Sequence, residues 1–124
     1  MARILIAEDE EALRAFIARA LVQDGHEVVA TADGGEALDA LTREQGRFDL
    51  LLTDIRMPVM DGIALALAAA RDYPELMILL MTGYADQRER AHGLDALIHD
   101  VIAKPFSLTD IRKAVNGALV ARGR

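Results

Sequence analysis

The amino-acid sequence predicts an α/β fold in which five strands form a parallel sheet and each strand is followed by a helix. Short apolar runs of strand length alternate along the chain with longer alanine-rich stretches that have helical spacing. The runs at residues 49–53 and 76–81 show no regular alternation of polar and apolar positions, as expected for central strands buried on both faces. Because right-handed crossovers place helices on both sides of such a sheet, we expect a doubly wound (βα)5 arrangement.

The predicted elements follow one another without a linker. We expect strands near residues 3–8, 27–31, 48–53, 76–81 and 98–103. We expect helices near residues 11–24, 35–45, 62–72, 85–94 and 108–122. These five units use residues 1–124, so we expect one domain with no attached output domain.

Turn-forming residues mark the boundaries of the first three helices. Gly25 ends the first helix, residues 33–35 turn into the second, and Gly46 follows it. Residues 61–62 open the third helix. Residues 72–74 close it, because a proline disfavours helical geometry in the residue before it.

The last helix has a predicted N-terminal cap. The Ser107 hydroxyl can accept a hydrogen bond from the backbone N–H of Asp110, and the Asp110 carboxylate can accept one from the backbone N–H of Ser107. This capping box predicts that the helix begins at residue 108.

Composition and charge narrow the class of protein. A hydrophobic fraction of 52% argues for a packed globule, and no apolar run approaches the roughly 20 residues of a membrane span. Because an apolar strand begins within three residues of Met1, we expect no signal peptide, and with no cysteine in the chain we expect a cytoplasmic location. A net charge of −6 disfavours nucleic acids and anionic membranes as partners, because both need a cationic surface.

Polar side chains stand at the carboxyl ends of four predicted strands. Glu8 and Asp9 end the first run, Asp54 the third, Thr82 the fourth and Lys104 the fifth. The carboxyl ends of parallel strands meet at one edge of the sheet, where open α/β sheets bind ligands. We therefore expect three carboxylates, a hydroxyl and an ammonium group to form one site.

These residue types fit phosphoryl transfer to Asp54 with a divalent cation. Three crowded carboxylates without histidine or cysteine favour Mg²⁺, with Glu8, Asp9, Asp54 and the backbone carbonyl of Arg56 as the expected ligands. A free oxygen of Asp54 can attack phosphorus. The ammonium of Lys104 can neutralise the added charge, and the Thr82 hydroxyl can bond a phosphoryl oxygen.

Each of these residues also has a structural interpretation. An acidic pair before a helix complements the helix dipole, an aspartate or threonine after a strand caps a turn, and a lysine is usually solvated. Four such features at four strand ends in this order favour the functional interpretation.

The chain resembles a response-regulator receiver domain over essentially its whole length. The motifs that carry the resemblance are ILIAEDE, LTDIRMPVMDG, MTG and AKPF, at residues 4–10, 52–62, 81–83 and 103–106. The resemblance implies a flavodoxin-like fold with strand order 2-1-3-4-5 and a cis peptide between Lys104 and Pro105. It also implies Mg²⁺-dependent phosphorylation of Asp54 by a histidine kinase or histidine phosphotransferase. The resemblance also implies that the protein is not an enzyme acting on a separate substrate. It accepts the phosphoryl group on its own aspartate and can lose it by slow autodephosphorylation.

The chain departs from the family where an aromatic residue is expected in the last strand. Three residues before Lys104 stands Val101, so the aromatic side chain that turns inward in other receivers is missing. We expect Tyr84, two residues after Thr82, to carry part of the signal. Our hypothesis is that switching reshapes residues 82–90 more than the last strand.

A narrower resemblance concerns the output. Residues 50–67, 79–90 and 99–112 resemble single-domain receivers of alphaproteobacterial cell-cycle control. In those receivers the unphosphorylated form engages the ClpX unfoldase and primes the ClpXP protease. The resemblance therefore implies ClpX as a partner, although residues 121–124 lack the small apolar terminus of a protein that is itself degraded. Our candidate partner surface comprises Tyr84, Asp86, Arg88, Arg90 and Lys113.

Other functions share part of this pattern. A phosphorelay intermediate would have the same site, and a chemotaxis-type receiver is disfavoured by Val101. A flavodoxin-like FMN protein needs a phosphate-binding loop after the first strand, where residues 8–11 are acidic instead. A metal-dependent phosphatase needs a general acid two residues after the nucleophile, where Arg56 stands.

Overall fold

The computed structural model describes residues 1–83, 91 and 93–123. Five parallel strands form one sheet: β1 (Arg3–Ala7), β2 (Glu27–Thr31), β3 (Leu50–Asp54), β4 (Met77–Thr82) and β5 (Asp100–Ala103). Their order across the sheet is β2-β1-β3-β4-β5. The predicted (βα)5 flavodoxin-like fold with strand order 2-1-3-4-5 is therefore confirmed.

Four helices connect or follow the strands in the described part of the chain. They are α1 (Glu11–Gln23), α2 (Gly34–Arg43), α3 (Gly62–Asp72) and α4 (Leu108–Arg122). Side-chain oxygens of Asp33, Asp61 and Ser107 cap α2, α3 and α4, and Asp110 completes the predicted capping box. The helix predicted over residues 85–94 falls largely on residues outside those described. No helix among the described residues is long and apolar enough to cross a membrane.

Six strand boundaries differ from the sequence prediction by one or two residues: β1 ends at Ala7, β3 spans Leu50–Asp54, β4 spans Met77–Thr82 and β5 begins at Asp100. Phe48 lies in the turn before β3, since its N–H donates to the Gly46 carbonyl. At the other end, Asp54 and Thr82 belong to β3 and β4, because the ladder continues through the pairs Asp54–Met81 and Thr82–Ala103. The polar side chains of Asp54 and Thr82 had suggested that these two strands end one residue earlier. The backbone hydrogen bonds of the sheet do not require an apolar side chain, so the strands continue through both residues.

Two apolar layers hold the helices to the sheet. Alternate residues of each strand point to opposite faces, so neighbouring strand residues enter different layers. Leu5 and Leu51 pack in the layer that includes α2 and α3, whereas Ile6 and Leu52 pack in the layer that includes α1 and α4. The polar groups at the strand ends are thus fixed by a sheet that is buried on both sides.

Candidate functional site

The strand register brings the predicted polar residues to one edge of the sheet. Thr82 accepts a hydrogen bond at its carbonyl from the backbone N–H of Lys104 at 2.7 Å. The N–H of Ile55, next to Asp54, donates to the Met81 carbonyl at 3.2 Å. The edge opens into a cavity of about 790 Å³. It is lined by Glu8, Asp9, Glu10, Leu13, Asp54, Arg56, Met57, Pro58, Gly83, Lys104, Pro105 and Phe106.

Three carboxylates form a cluster in this cavity. Glu8, Asp9 and Asp54 each contribute one oxygen, and these oxygens lie within 4.8 Å of one another. Glu8 is fully buried and Asp54 is 6% exposed, whereas Asp9 faces solvent. A set of carboxylate oxygens without nitrogen or sulfur ligands suits a hard cation such as Mg²⁺. Because Asp9 is exposed, an ion can reach the cluster from solvent.

Lys104 joins the two buried carboxylates. Its Nζ lies 2.8 Å from Glu8 Oε1 and 3.2 Å from Asp54 Oδ2. Burial lowers the pKa of Lys104, but hydrogen bonding to Glu8 and attraction to both carboxylates outweigh it, so the pKa is raised overall. The peptide between Lys104 and Pro105 is cis, as the resemblance implied.

Burial raises the pKa of both inner carboxyls. For Glu8, loss of solvent outweighs hydrogen bonds from Lys104 and from the backbone N–H of Glu10. For Asp54, loss of solvent outweighs the attraction of Lys104, and the charge of Asp9 adds to the increase. A second cation in the cavity, in addition to Lys104, would reduce the electrostatic cost of burying these two carboxylates. The electrostatics therefore also fit a bound metal ion.

Glycine at position 62 allows the chain to turn closely around Asp54. The Gly62 N–H donates to the Ile55 carbonyl at 2.7 Å. A Cβ at this position would lie 1.9 Å from the backbone oxygen of Asp54. The Asp54 side chain is in turn oriented by the Ile55 N–H, which donates to Oδ1 at 3.0 Å.

The remaining predicted residues have different positions. Arg56 is exposed at the cavity, Thr82 is buried at the end of β4, and Val101 is half-buried against an apolar cluster. Lys113 is exposed on α4. The rest of the predicted partner surface lies outside the described residues: Tyr84, Asp86, Arg88 and Arg90.

Sequence reasoning missed two kinds of residue at the site. Arg14 donates from its guanidinium to the Glu8 carbonyl at 3.0 Å and so fixes α1 to the end of β1. Leu13 and Phe106 give the cavity an apolar wall. Helical spacing could have found Leu13, which lies four residues after Asp9, but no sequence signal distinguishes Arg14 from a solvated arginine.

The chain belongs to the response regulator receiver domain family, whose model matches residues 4–116. It is similar to "Response regulator receiver protein CpdR" of Brucella abortus, with 39% identity over 98% of this chain and 99% of that protein. It is also 34% identical to the transcriptional regulatory protein TcrA of Mycobacterium tuberculosis over 88% of this chain, but spans only 42% of that protein.

Solved structures show the same architecture. A CheY-like receiver domain protein from Methanospirillum hungatei is 30% identical, with a TM-score of 0.90 over 99% of this chain and 97% of that chain. The response regulator TrrA of Thermotoga maritima, solved in complex with Mg(2+)-BeF, is 27% identical. Its TM-score is 0.83 over 96% of this chain and all of that one.

Proposed function

We propose that the protein is a response regulator that accepts a phosphoryl group on Asp54 and signals through protein contacts controlled by that modification. The observation that carries the proposal is the position of Asp54, which lies beside Lys104 and two further carboxylates at an open cavity. This arrangement places one nucleophile beside an ammonium group and beside two carboxylates that could hold a divalent cation, and the ammonium and the bound cation would together compensate phosphate charge, as phosphoryl transfer requires.

The donor is a phosphohistidine of a histidine kinase or histidine phosphotransferase. An Asp54 carboxylate oxygen attacks phosphorus, an O–P bond forms, and the N–P bond of the donor breaks. The electron pair stays on the imidazole nitrogen, which can then take up a proton from solvent. Lys104 stays charged throughout, because its pKa is raised, and its ammonium is placed to bind a transferred phosphoryl oxygen. The Thr82 hydroxyl serves as a second donor.

The carboxylate cluster is the proposed Mg²⁺ site. Asp9 and Asp54 would hold the ion directly or through water, with Glu8 and the Arg56 carbonyl completing the set. Both Glu8 oxygens already accept hydrogen bonds, from Lys104 and from the Glu10 N–H, so we assign Glu8 an indirect contact. An ion held there would supply positive charge close to the phosphoryl oxygens.

A phosphorylation assay tests the Asp54 assignment. Purified protein is incubated with phosphoramidate and Mg²⁺, and its intact mass is measured. We expect the wild type to gain one phosphate and Asp54→Asn to gain none. The matched control is Asp39→Asn, because Asp39 is an exposed carboxylate on α2 and should not affect labelling. Unchanged labelling of Asp54→Asn contradicts the assignment.

For the output, we propose adaptor activity on the ClpXP protease in the unphosphorylated state. Support comes from the similarity to CpdR, which covers nearly the full length of both chains. Residues 1–124 would then act as a single receiver without an output domain, in the cytoplasm. A phosphorelay intermediate and a chemotaxis-type receiver are the alternatives.

Binding to ClpX distinguishes these functions. Immobilised protein is exposed to purified ClpX and, separately, to a histidine phosphotransferase, with and without beryllofluoride and Mg²⁺. We expect ClpX to bind only without beryllofluoride. Binding of the phosphotransferase alone contradicts the adaptor proposal and favours the relay intermediate.

A further inference from the structure

Five polar or charged residues are buried in the described part of the chain: Glu8, Thr31, Thr53, Asp54 and Thr82. Three of them belong to the site described above, which leaves the hydroxyls of two threonines without a role. The hydroxyl of Thr31 donates to the Ile6 carbonyl at 2.6 Å and so joins β2 to β1. The hydroxyl of Thr53 instead contacts the backbone of the residue that follows it, Asp54.

The Thr53 hydroxyl fixes the carbonyl group of Asp54. It donates to the carbonyl oxygen at 2.8 Å. The hydroxyl oxygen also lies 3.9 Å from Met57 Sδ, but a thioether is a weak acceptor and the hydroxyl has a single proton, so the bond to the carbonyl is the stronger one. The Thr53 side chain is fully buried, so solvent does not compete for this bond. The same carbonyl oxygen lies close to Gly62, where a Cβ would be 1.9 Å away.

The peptide group that Thr53 fixes also orients the Asp54 carboxylate. The Asp54 carbonyl and the Ile55 N–H belong to one planar peptide group, so fixing the carbonyl also fixes the direction of the N–H. That N–H donates to Asp54 Oδ1 at 3.0 Å and to the Met81 carbonyl at 3.2 Å. The other carboxylate oxygen, Oδ2, lies 3.2 Å from Lys104 Nζ. The orientation of the carboxylate is therefore set by the peptide on one side and by the ammonium on the other.

Thr53 acts on the carboxylate through the backbone and not by contact. Successive residues of a strand point to opposite faces of the sheet. On β3, Leu51 and Ile55 pack in the layer that includes α2 and α3, whereas Leu52 packs in the other layer. Thr53 therefore points to the face of Leu51, which is not the face of the Asp54 side chain.

We propose that Thr53 is a positioning residue for phosphoryl transfer, because its hydroxyl fixes the peptide group whose N–H holds the Asp54 carboxylate in the orientation that attacks phosphorus. This inference rests on the proposed function, in which Asp54 is the nucleophile. Transfer requires an aligned attacking atom, and a small misalignment of reacting groups lowers the rate by a large factor. The sequence gives no sign of this role, since threonine is common in strands.

Two comparisons separate the hydroxyl from the space that the side chain fills. Thr53→Val keeps the shape and loses the donor, whereas Thr53→Ser keeps the donor and loses a methyl group. Thr53→Ala also lacks the methyl group, so it differs from Thr53→Ser only in the hydroxyl and replaces Thr53→Val if that variant does not fold. The matched control is Thr31→Val, which removes the other buried hydroxyl. It leaves in place the Thr31 carbonyl, which accepts from the Glu8 N–H at 3.1 Å.

The initial rate of phosphate incorporation from phosphoramidate is measured by intact mass at saturating Mg²⁺, and Tm is measured for each variant. We expect Thr53→Val and Thr53→Ala to be labelled about tenfold more slowly than the wild type, and Thr53→Ser and Thr31→Val to stay within about twofold of it. Wild-type rates in Thr53→Val and Thr53→Ala overturn the inference. Rates that follow the Tm values instead of the hydroxyl also overturn it.

A second measurement, without phosphate or metal, tests the hydrogen bond itself. In ¹³C,¹⁵N-labelled protein, the carbonyl carbon of Asp54 and the amide of Ile55 report on the two ends of the peptide group. We expect both signals to move further from their wild-type positions in Thr53→Val than in Thr53→Ser, and equal displacement overturns the inference. A wild type that is not labelled, or labelling of Asp54→Asn, overturns the proposed function and this inference with it.

Discussion

Individual residues at the site trade stability for reactivity. Asp54 could be stabilised by full solvation or full neutralisation, but it has neither, because it is buried with one cation shared between two carboxylates. Its raised pKa records that cost. A bound cation would stabilise a carboxylate held in this way. The electrostatic cost of burying Asp54 therefore favours binding of the cation that phosphoryl transfer needs.

Removing the Asp54 charge should stabilise the fold in a pH-dependent way. The pKa of Asp54 is higher in the folded than in the unfolded protein. The buried charge therefore destabilises the fold at pH values above the folded pKa, and this destabilisation disappears as pH falls below the unfolded pKa of about 3.8. In metal-free buffer, we expect Asp54→Asn to raise the free energy of unfolding at pH 7 by on the order of 1 kcal/mol. Urea unfolding of both proteins from pH 7 to pH 4 should show the difference shrinking. A difference that grows towards pH 4 contradicts this account.

Substitution of Gly62 and of Gly117 by alanine tests whether the close approach of the chain to Asp54 requires glycine. Gly62→Ala places a methyl group 1.9 Å from the Asp54 carbonyl and should cost about 3 kcal/mol or more, or prevent folding. Gly117→Ala, on α4, meets nothing closer than 3.9 Å and should stabilise by about 0.5–1 kcal/mol. Thermal unfolding compares the two. Equal effects would mean that the close approach at Gly62 is not required.

Whole elements were predictable where local chemistry and packing agree. Apolar runs located the strands, and the cap at Ser107 located α4, because these signals act within a few residues. Strand ends were less predictable: the sheet continues through Asp54 and Thr82, whose polarity suggested a loop. At the site, the proximity of Glu8, Asp9, Asp54 and Lys104 could be predicted, because the carboxyl ends of parallel strands meet at one edge of the sheet. The Arg14 contact with the Glu8 carbonyl could not, since it depends on the angle between α1 and β1.

The fifth strand should respond weakly to activation. Val101 is half-buried against an apolar cluster, and a valine has a single side-chain torsion with no ring to turn inward. On addition of beryllofluoride and Mg²⁺, we expect the backbone amides of Asp100–Ala103 to shift less than those of residues 82–90, measured by ¹⁵N–¹H correlation spectra. Large shifts in β5, or changes confined to the surroundings of Asp54, would contradict the expectation.

For the molecule as a whole, the site and the fold are linked through the cation. The three carboxylates lie on the connection after β1 and at the end of β3, so an ion bound to the folded cluster favours the entire sheet over the unfolded chain. A site with one ligand in excess at one hundred times Kd should add about 2.7 kcal/mol of stability. We therefore expect Tm to rise with Mg²⁺ and to return to its starting value after chelation. Asp9→Asn should abolish most of the rise, whereas Asp110→Asn, an exposed carboxylate in the cap of α4, should retain it. The same Mg²⁺ response in both variants would show that the ion binds elsewhere.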